Sequence, residues 1–183
     1  MHRFIRRLAI GRRRWRRRQE GAAAVEFALV ALPFFWVFMG IIELAMLMLF
    51  NNGLEHGVES AGRLIRTGQA QTMGLDAGAF RTEVCKRVMI SSNCSSGLLL
   101  DVRRFPDFAS ISGLESPTSD GSQDMTLNER FDPGGPREVV VVRTYYEWKF
   151  FTPMLGALLD NTGRNTFLVG AATTFRNEPY ANY

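Results

Sequence analysis

The sequence predicts an α+β chain in which a long N-terminal transmembrane helix is followed by a second amphipathic helix and a small antiparallel sheet of about three strands. Three observations carry that expectation. Ala22 to Phe50 is a stretch of 29 mostly apolar residues. Helical three- and four-residue spacing of apolar side chains continues beyond it, and the C-terminal third switches to period-two alternation.

The apolar stretch fits a membrane span better than a secretory signal. Signal h-regions run about 7 to 15 residues and end in small residues at the cleavage site, whereas here Ala22, Ala23 and Ala24 come first. A helix from Phe27 to Phe50 reaches about 36 Å at 1.5 Å per residue, enough to cross a hydrocarbon core of about 30 Å with some tilt. Pro33 removes one backbone hydrogen bond and predicts a kink that neighbouring helices can compensate.

Past the membrane, Leu54, Val58, Ala61, Leu64 and Ile65 form one apolar stripe, with Glu55, Glu59, Arg63 and Arg66 off it. This extends the helix to about Gln71. Gly53, Gly57 and Gly62 each weaken an isolated helix by about 1 kcal/mol relative to alanine, so they imply either close packing or flexibility. Gly74 then reads as a stop and Asp76 as an N-cap, with Phe80, Val84 and Val88 marking a second helix to about Ile90.

Three strands follow. Leu98 to Phe105 is halted by Pro106. In Glu138 to Phe150, the alternate residues Val140, Val142, Thr144, Tyr146, Trp148 and Phe150 face one way, and Thr166 to Phe175 gives the third strand. Residues 109–135, rich in Ser, Gly, Asp and Pro, read as a long surface loop, and Pro153 to Leu159 as a short helical turn. The domain organisation is therefore a basic leader at 1–21, a transmembrane helix at 22–50, a helical extension at 51–73 and an α+β head at 74–183.

The formal charge of +4 is misleading, because nine arginines precede Gly21 and the rest of the chain is net acidic. Arginine directly before a span holds that end in the cytoplasm, which sends the head to the periplasmic side. Clustered Arg with Trp15 also permits a nucleic-acid tail. That reading requires the arm to persist in the mature protein; the topogenic reading is preferred, with no nucleic-acid partner.

Glu26 lies five residues past Gly21, inside the apolar stretch. A carboxylate there costs roughly 2.5 to 3.5 kcal/mol near the bilayer centre, so it is a functional residue by default, the alternative being a hydrated acid at the interface. Glu43, 17 residues and about 25 Å further along the helix, is expected to reach the outer interface without a special role.

An arginine-rich leader, Gly21, and then Ala22-Ala23-Ala24-Val25-Glu26-Phe27 resembles the processing site of type IV prepilins, where a membrane aspartyl peptidase cuts after the glycine. The continuation through Ala28 to Pro33 and Gly40-Ile41-Ile42-Glu43 is similar to the TadE-like pseudopilins of tight-adherence (Flp) pilus systems. The resemblance covers Gly21 to about Gln71, with a looser echo in the two cysteines, the valine-rich strand and the terminal Arg176-Asn177-Glu178-Pro179-Tyr180. Phe27 stands where the major pilins carry tyrosine, and the chain is much longer than theirs. Both departures favour a minor subunit.

The resemblance implies a pilin-like fold, cleavage between Gly21 and Ala22 by a prepilin peptidase, and a role in assembling an adhesive pilus. The implied partners are a second pseudopilin, the major Flp pilin, the inner-membrane assembly platform with its ATPase, and membrane lipid. Cleavage would free an α-amine at Ala22, with Glu26 as its i,i+4 neighbour, and the carboxylate could pair with that amine or with a neighbouring subunit's to set axial register. The competing reading is an uncleaved, membrane-anchored periplasmic binding or scaffold protein.

Cys85 and Cys94 are too far apart for a CxxC redox or zinc pair and too few for a four-ligand site. In an oxidising compartment they read as a disulfide, the alternative being two reduced core cysteines. The chain is not expected to be an enzyme and calls for no cofactor or metal. Its only histidines are His2 and His56, without an HExxH pattern, and no phosphate loop or nucleophile elbow occurs. Asp120, Asp124, Glu129 and Asp132 lack calcium-loop spacing.

Overall fold

In a computed structural model of the chain, residues 2–88, 93–112, 114 and 129–180 are described, with side chains from Gly21 onward. Helix α1 covers His2–Arg66, α2 Gln69–Thr72, α3 Ala77–Cys85 and α4 Cys94–Gly97. They are followed by β1 Leu98–Phe105, a 3-10 turn at Ala109–Ile111, β2 Arg130–Phe131, β3 Val139–Lys149, α5 Leu155–Leu159 and β4 Thr166–Arg176. Contacts divide the chain into two compact units, Met1–Ile42 and Glu43–Tyr183.

The first unit is helical, and its helix assignment continues through Pro33. Its apolar side chains find no core: Leu32 is 74% exposed and Phe27 72%. The helix contains an 18-residue window of mean hydropathy 2.2, none of it buried. A water-soluble helix of that composition would have to bury it, so one apolar helix here is long enough to cross a membrane and is left uncovered by the fold.

In the second unit, Phe50, Leu54, Val58, Ala61 and Ile65 line one face of α1 and are fully or nearly fully buried, together with Phe80, Val84 and Val88 from α3 and its C-terminal turn. The sheet closes this core with Leu98, Leu100 and Val102 from β1, Val140 and Val142 from β3, and Val169 and Ala171 from β4. Strand order is β2-β1-β3-β4. β3 is antiparallel to both β1 and β4, with Val102 opposite Val142 and Val140 opposite Phe175.

Two boundaries and one strand differ from the sequence expectation. α1 ends at Arg66 rather than near Gln71, because Gly68 turns into the left-handed region at φ 78° and α2 restarts beyond it. A Cβ at Gly68 would also lie 2.6 Å from the Tyr180 ring, so glycine is required there on two counts. α3 stops at Cys85 instead of continuing to Ile90, which lies outside the described residues. The loop at 109–135 contains β2, which pairs parallel with β1 through Asp101 and Arg130. The sheet therefore has four strands and is mixed.

Candidate processing and assembly site

Gly21, Ala22 and Glu26 lie on helical backbone and are exposed. A Cβ added to Gly21 would meet nothing within 4 Å, and its φ is not left-handed. Glycine costs about 1 kcal/mol in a helix relative to alanine, and nothing in this fold requires it there. Among the side chains described, from Gly21 onward, Glu26 has no hydrogen-bond or ion-pair partner. Gly21, Ala22 and Glu26 thus occupy one accessible stretch, with Glu26 one helical turn beyond Ala22.

Glu43 behaves differently from the idle interfacial acid expected. It is fully buried, and its two carboxylate oxygens accept hydrogen bonds from the backbone N–H groups of Phe151 at 2.7 Å and Thr152 at 2.9 Å. The acid that interrupts the end of the apolar stretch therefore fastens α1 to the connection between β3 and β4. Charged hydrogen bonds of this kind are about twice as strong as neutral ones.

The glycines past the span are explained by contact. A Cβ at Gly57 would sit 2.3 Å from the Val84 carbonyl oxygen, one at Gly53 3.0 Å from that of Arg87, and one at Gly62 2.9 Å from the Phe175 ring. α1 thus crosses the end of α3 backbone to backbone. The predicted Asp76 cap is present, its Oδ1 accepting from Ala79 N–H at 2.7 Å. Cys85, the last residue of α3, is disulfide-bonded to Cys94, the first of α4, with Cα atoms 5.8 Å apart. The bond ties the end of α3 to the lead into β1.

The terminal Arg176–Tyr180 segment holds the C-terminal end of α1. Glu178 N–H donates to the Arg66 carbonyl at 2.8 Å, satisfying one of the acceptors every helix leaves open at its end. The Asn177 amide donates to the carbonyls of Pro133 and Gly135, and Tyr180 packs on Gly68. Burial raises the Tyr180 hydroxyl above its usual pKa.

Sequence reasoning missed two charged clusters. Asp101, only 1% exposed, faces Arg143 across the β1–β3 ladder and accepts from its Nε at 3.1 Å and from Arg103 Nε at 2.7 Å. The signal was available: an acid and a base at facing positions of two alternating strands are a cross-strand pair. At the end of α5, Asp160 accepts N–H bonds from Thr162, Gly163 and Asn165. The Thr162 bond first, then that of Asn165, hold its carboxyl at a pKa of about 2.

Among the described residues no group of three or more His, Cys, Asp and Glu is placed to hold a metal ion. His56 is exposed on α1. Glu129 pairs with Arg81 and Asp132 with Arg104, while Asp120 and Asp124 lie outside the described residues.

No curated protein and no solved structure matches the chain. Residues 21–63 match the family model described as TadE-like protein. The match begins at Gly21, takes in Glu26 and Glu43, and ends at Arg63, so it covers the exposed apolar stretch and the packed stripe as far as Ala61, short of Ile65. Over that segment the chain is similar to the TadE-like family.

Proposed function

We propose that the chain is a minor pseudopilin of a tight-adherence pilus, cut after Gly21 by a prepilin peptidase and used, without enzymatic activity of its own, to support pilus assembly. It sits in the bacterial inner membrane as a single-pass protein, arginine arm in the cytoplasm and head in the periplasm. Its partners are the peptidase, a second pseudopilin, the major Flp pilin and the assembly platform. The observation that carries this reading is the start of the TadE-like match at Gly21, with Glu26 five residues on in an uncovered apolar helix.

Two physical points support it. Gly21 has no packing or backbone reason to be glycine, which leaves recognition by another protein as its use. Glu26 has no counter-charge among the side chains described from Gly21 onward, and cleavage would supply one as the α-amine of Ala22, on the same helix face. Intact-mass measurement of membrane-extracted protein tests the reading. A mature chain starting at Ala22, or its methylated form, is expected; retention of the arm on most molecules in cells that hold the peptidase would favour the uncleaved scaffold.

A further inference from the structure

We infer that the connection after β3, from Phe151 through α5, is a second membrane contact: its apolar side chains dip into the outer leaflet of the bilayer that α1 crosses. Three observations converge on it. The first is composition at the surface. Phe151, Met154 and Leu158 are 51%, 72% and 68% exposed, and Leu159 joins them. A head with a well-filled core presents four large apolar side chains on one short connection, where water would penalise each of them.

The second is backbone conformation. Met154 immediately precedes α5 with φ 66°, in the left-handed region that a side chain other than glycine, asparagine or aspartate rarely adopts. The strained backbone at Met154 thus coincides with the most exposed apolar side chain of the connection. Its neighbours are secured, with Leu155 buried, its N–H bonded to the Thr152 carbonyl, and Gly156 packed so closely on Asn165 that a Cβ would come within 2.7 Å. The outward face is therefore preformed.

The third observation identifies the occupant. Glu43 takes the N–H groups of Phe151 and Thr152, so the connection is bonded to a residue inside the apolar stretch of α1. The exposed apolar surface of that helix does not end at Glu43: Met48 and Leu49 are still open, about 7.5 to 9 Å further along the axis. If lipid covers Met48 and Leu49, it also reaches the level of Phe151. Lys149, exposed two residues before Phe151, is placed to reach headgroup phosphates by snorkelling. Just past α5, Asp160 has its carboxylate occupied by backbone amides. The arrangement is an interfacial anchor built onto a spanning helix.

This inference rests on the single-pass reading proposed above, and its test separates the two. Nitroxide labels are placed on single introduced cysteines, Met154→Cys and Leu158→Cys, the native pair being disulfide-bonded. Phe34→Cys marks the span and Thr174→Cys, exposed far along β4 from the connection, marks the head. Full-length protein is reconstituted in vesicles of phosphatidylethanolamine and phosphatidylglycerol, and collisions with oxygen and with a water-soluble nickel chelate are compared. The expected result is an oxygen-dominated ratio at 154 and 158, shifted from the Thr174 value toward that at Phe34. Nickel-dominated collisions at 154 and 158 with Phe34 in lipid overturn the inference and leave the span intact. Nickel access at Phe34 removes the span and the inference together. Shielding of 154 and 158 from both reagents means a protein surface covers them, which also overturns it.

Discussion

Gly57→Ala tests the way α1 is seated in the head. The added methyl would lie 2.3 Å from the carbonyl oxygen of Val84, about 1 Å inside an ordinary C···O contact of 3.3 to 3.6 Å. The obstacle is backbone at the end of α3, so no rotamer change relieves it. Either the two helices separate or α3 shifts, and both loosen the packing of Leu54 and Val58 against Phe80 and Val84. Overpacking of this kind costs about 1 to 3 kcal/mol. Alanine in place of glycine returns about 1 kcal/mol of helix propensity, and with a rigid obstacle the net destabilisation is about 2 kcal/mol. For a unit the size of Glu43–Tyr183 that lowers the melting temperature by about 4 to 8 °C.

Thermal unfolding of the full chain in detergent, followed by circular dichroism, reads this shift directly. Two further substitutions make the sign informative. Gly53→Ala, with 3.0 Å to the Arg87 carbonyl oxygen, should cost less. Gly78→Ala in the first turn of α3, where the nearest atom is 3.4 Å away, should be neutral or stabilising by up to about 1 kcal/mol. A Gly57→Ala protein that melts at or above the wild-type temperature would refute the backbone contact between α1 and α3.

Acid should loosen the turn after α5 late. The folded pKa of Asp160 is depressed from 3.8 to about 2, so its contribution is fully present above 3.8 and is lost as the pH falls through about 2; an amide-shift titration of Thr162 and Asn165 with a midpoint near the ordinary carboxylate value would contradict the bonding described. Replacing both Cys85 and Cys94 by serine should destabilise the head by about 2.5 to 3 kcal/mol on the chain-entropy account of so short a loop, measured by denaturant unfolding; equal stability of the two proteins would show that the bond constrains nothing. Glu26→Gln should leave insertion and processing intact while weakening crosslinks to partner pilins and lowering piliation, whereas Gly21→Leu should block processing. Wild-type piliation with Glu26→Gln would mean that the carboxylate is idle.

The legible parts of this fold were those with a repeat. Leu54, Val58, Ala61 and Ile65 declare a helix face through their spacing, and β3 declares its two faces through alternation, because both are local consequences of side-chain geometry. The end of α1 was not legible: Gln69, Ala70 and Gln71 are good helix formers, and the left-handed Gly68 that breaks the helix lies against the ring of Tyr180, more than a hundred residues away in sequence. β2 is two residues long, too short to show any period. Glu43 was misjudged for a related reason, since its partners are main-chain amides 108 and 109 positions away, and a backbone donor leaves no mark in a sequence.

The two acids of the apolar stretch meet the same physical demand in opposite ways. A carboxylate in a low-dielectric environment must be hydrogen-bonded, paired or protonated. Glu43 is supplied from within the chain by two amide donors, one to each carboxylate oxygen. Glu26 receives no donor or cation from the side chains described from Gly21 onward, and in the function proposed above its compensation comes from cleavage and from neighbouring subunits. Cleavage at Gly21 would create an amine one turn away, and a packed neighbour would bring a second. The difference predicts where a charge-removing change should be felt. At Glu43 it should act on the chain's own fold, by freeing the connection that carries Phe151, and at Glu26 it should leave the fold alone and act only when subunits meet.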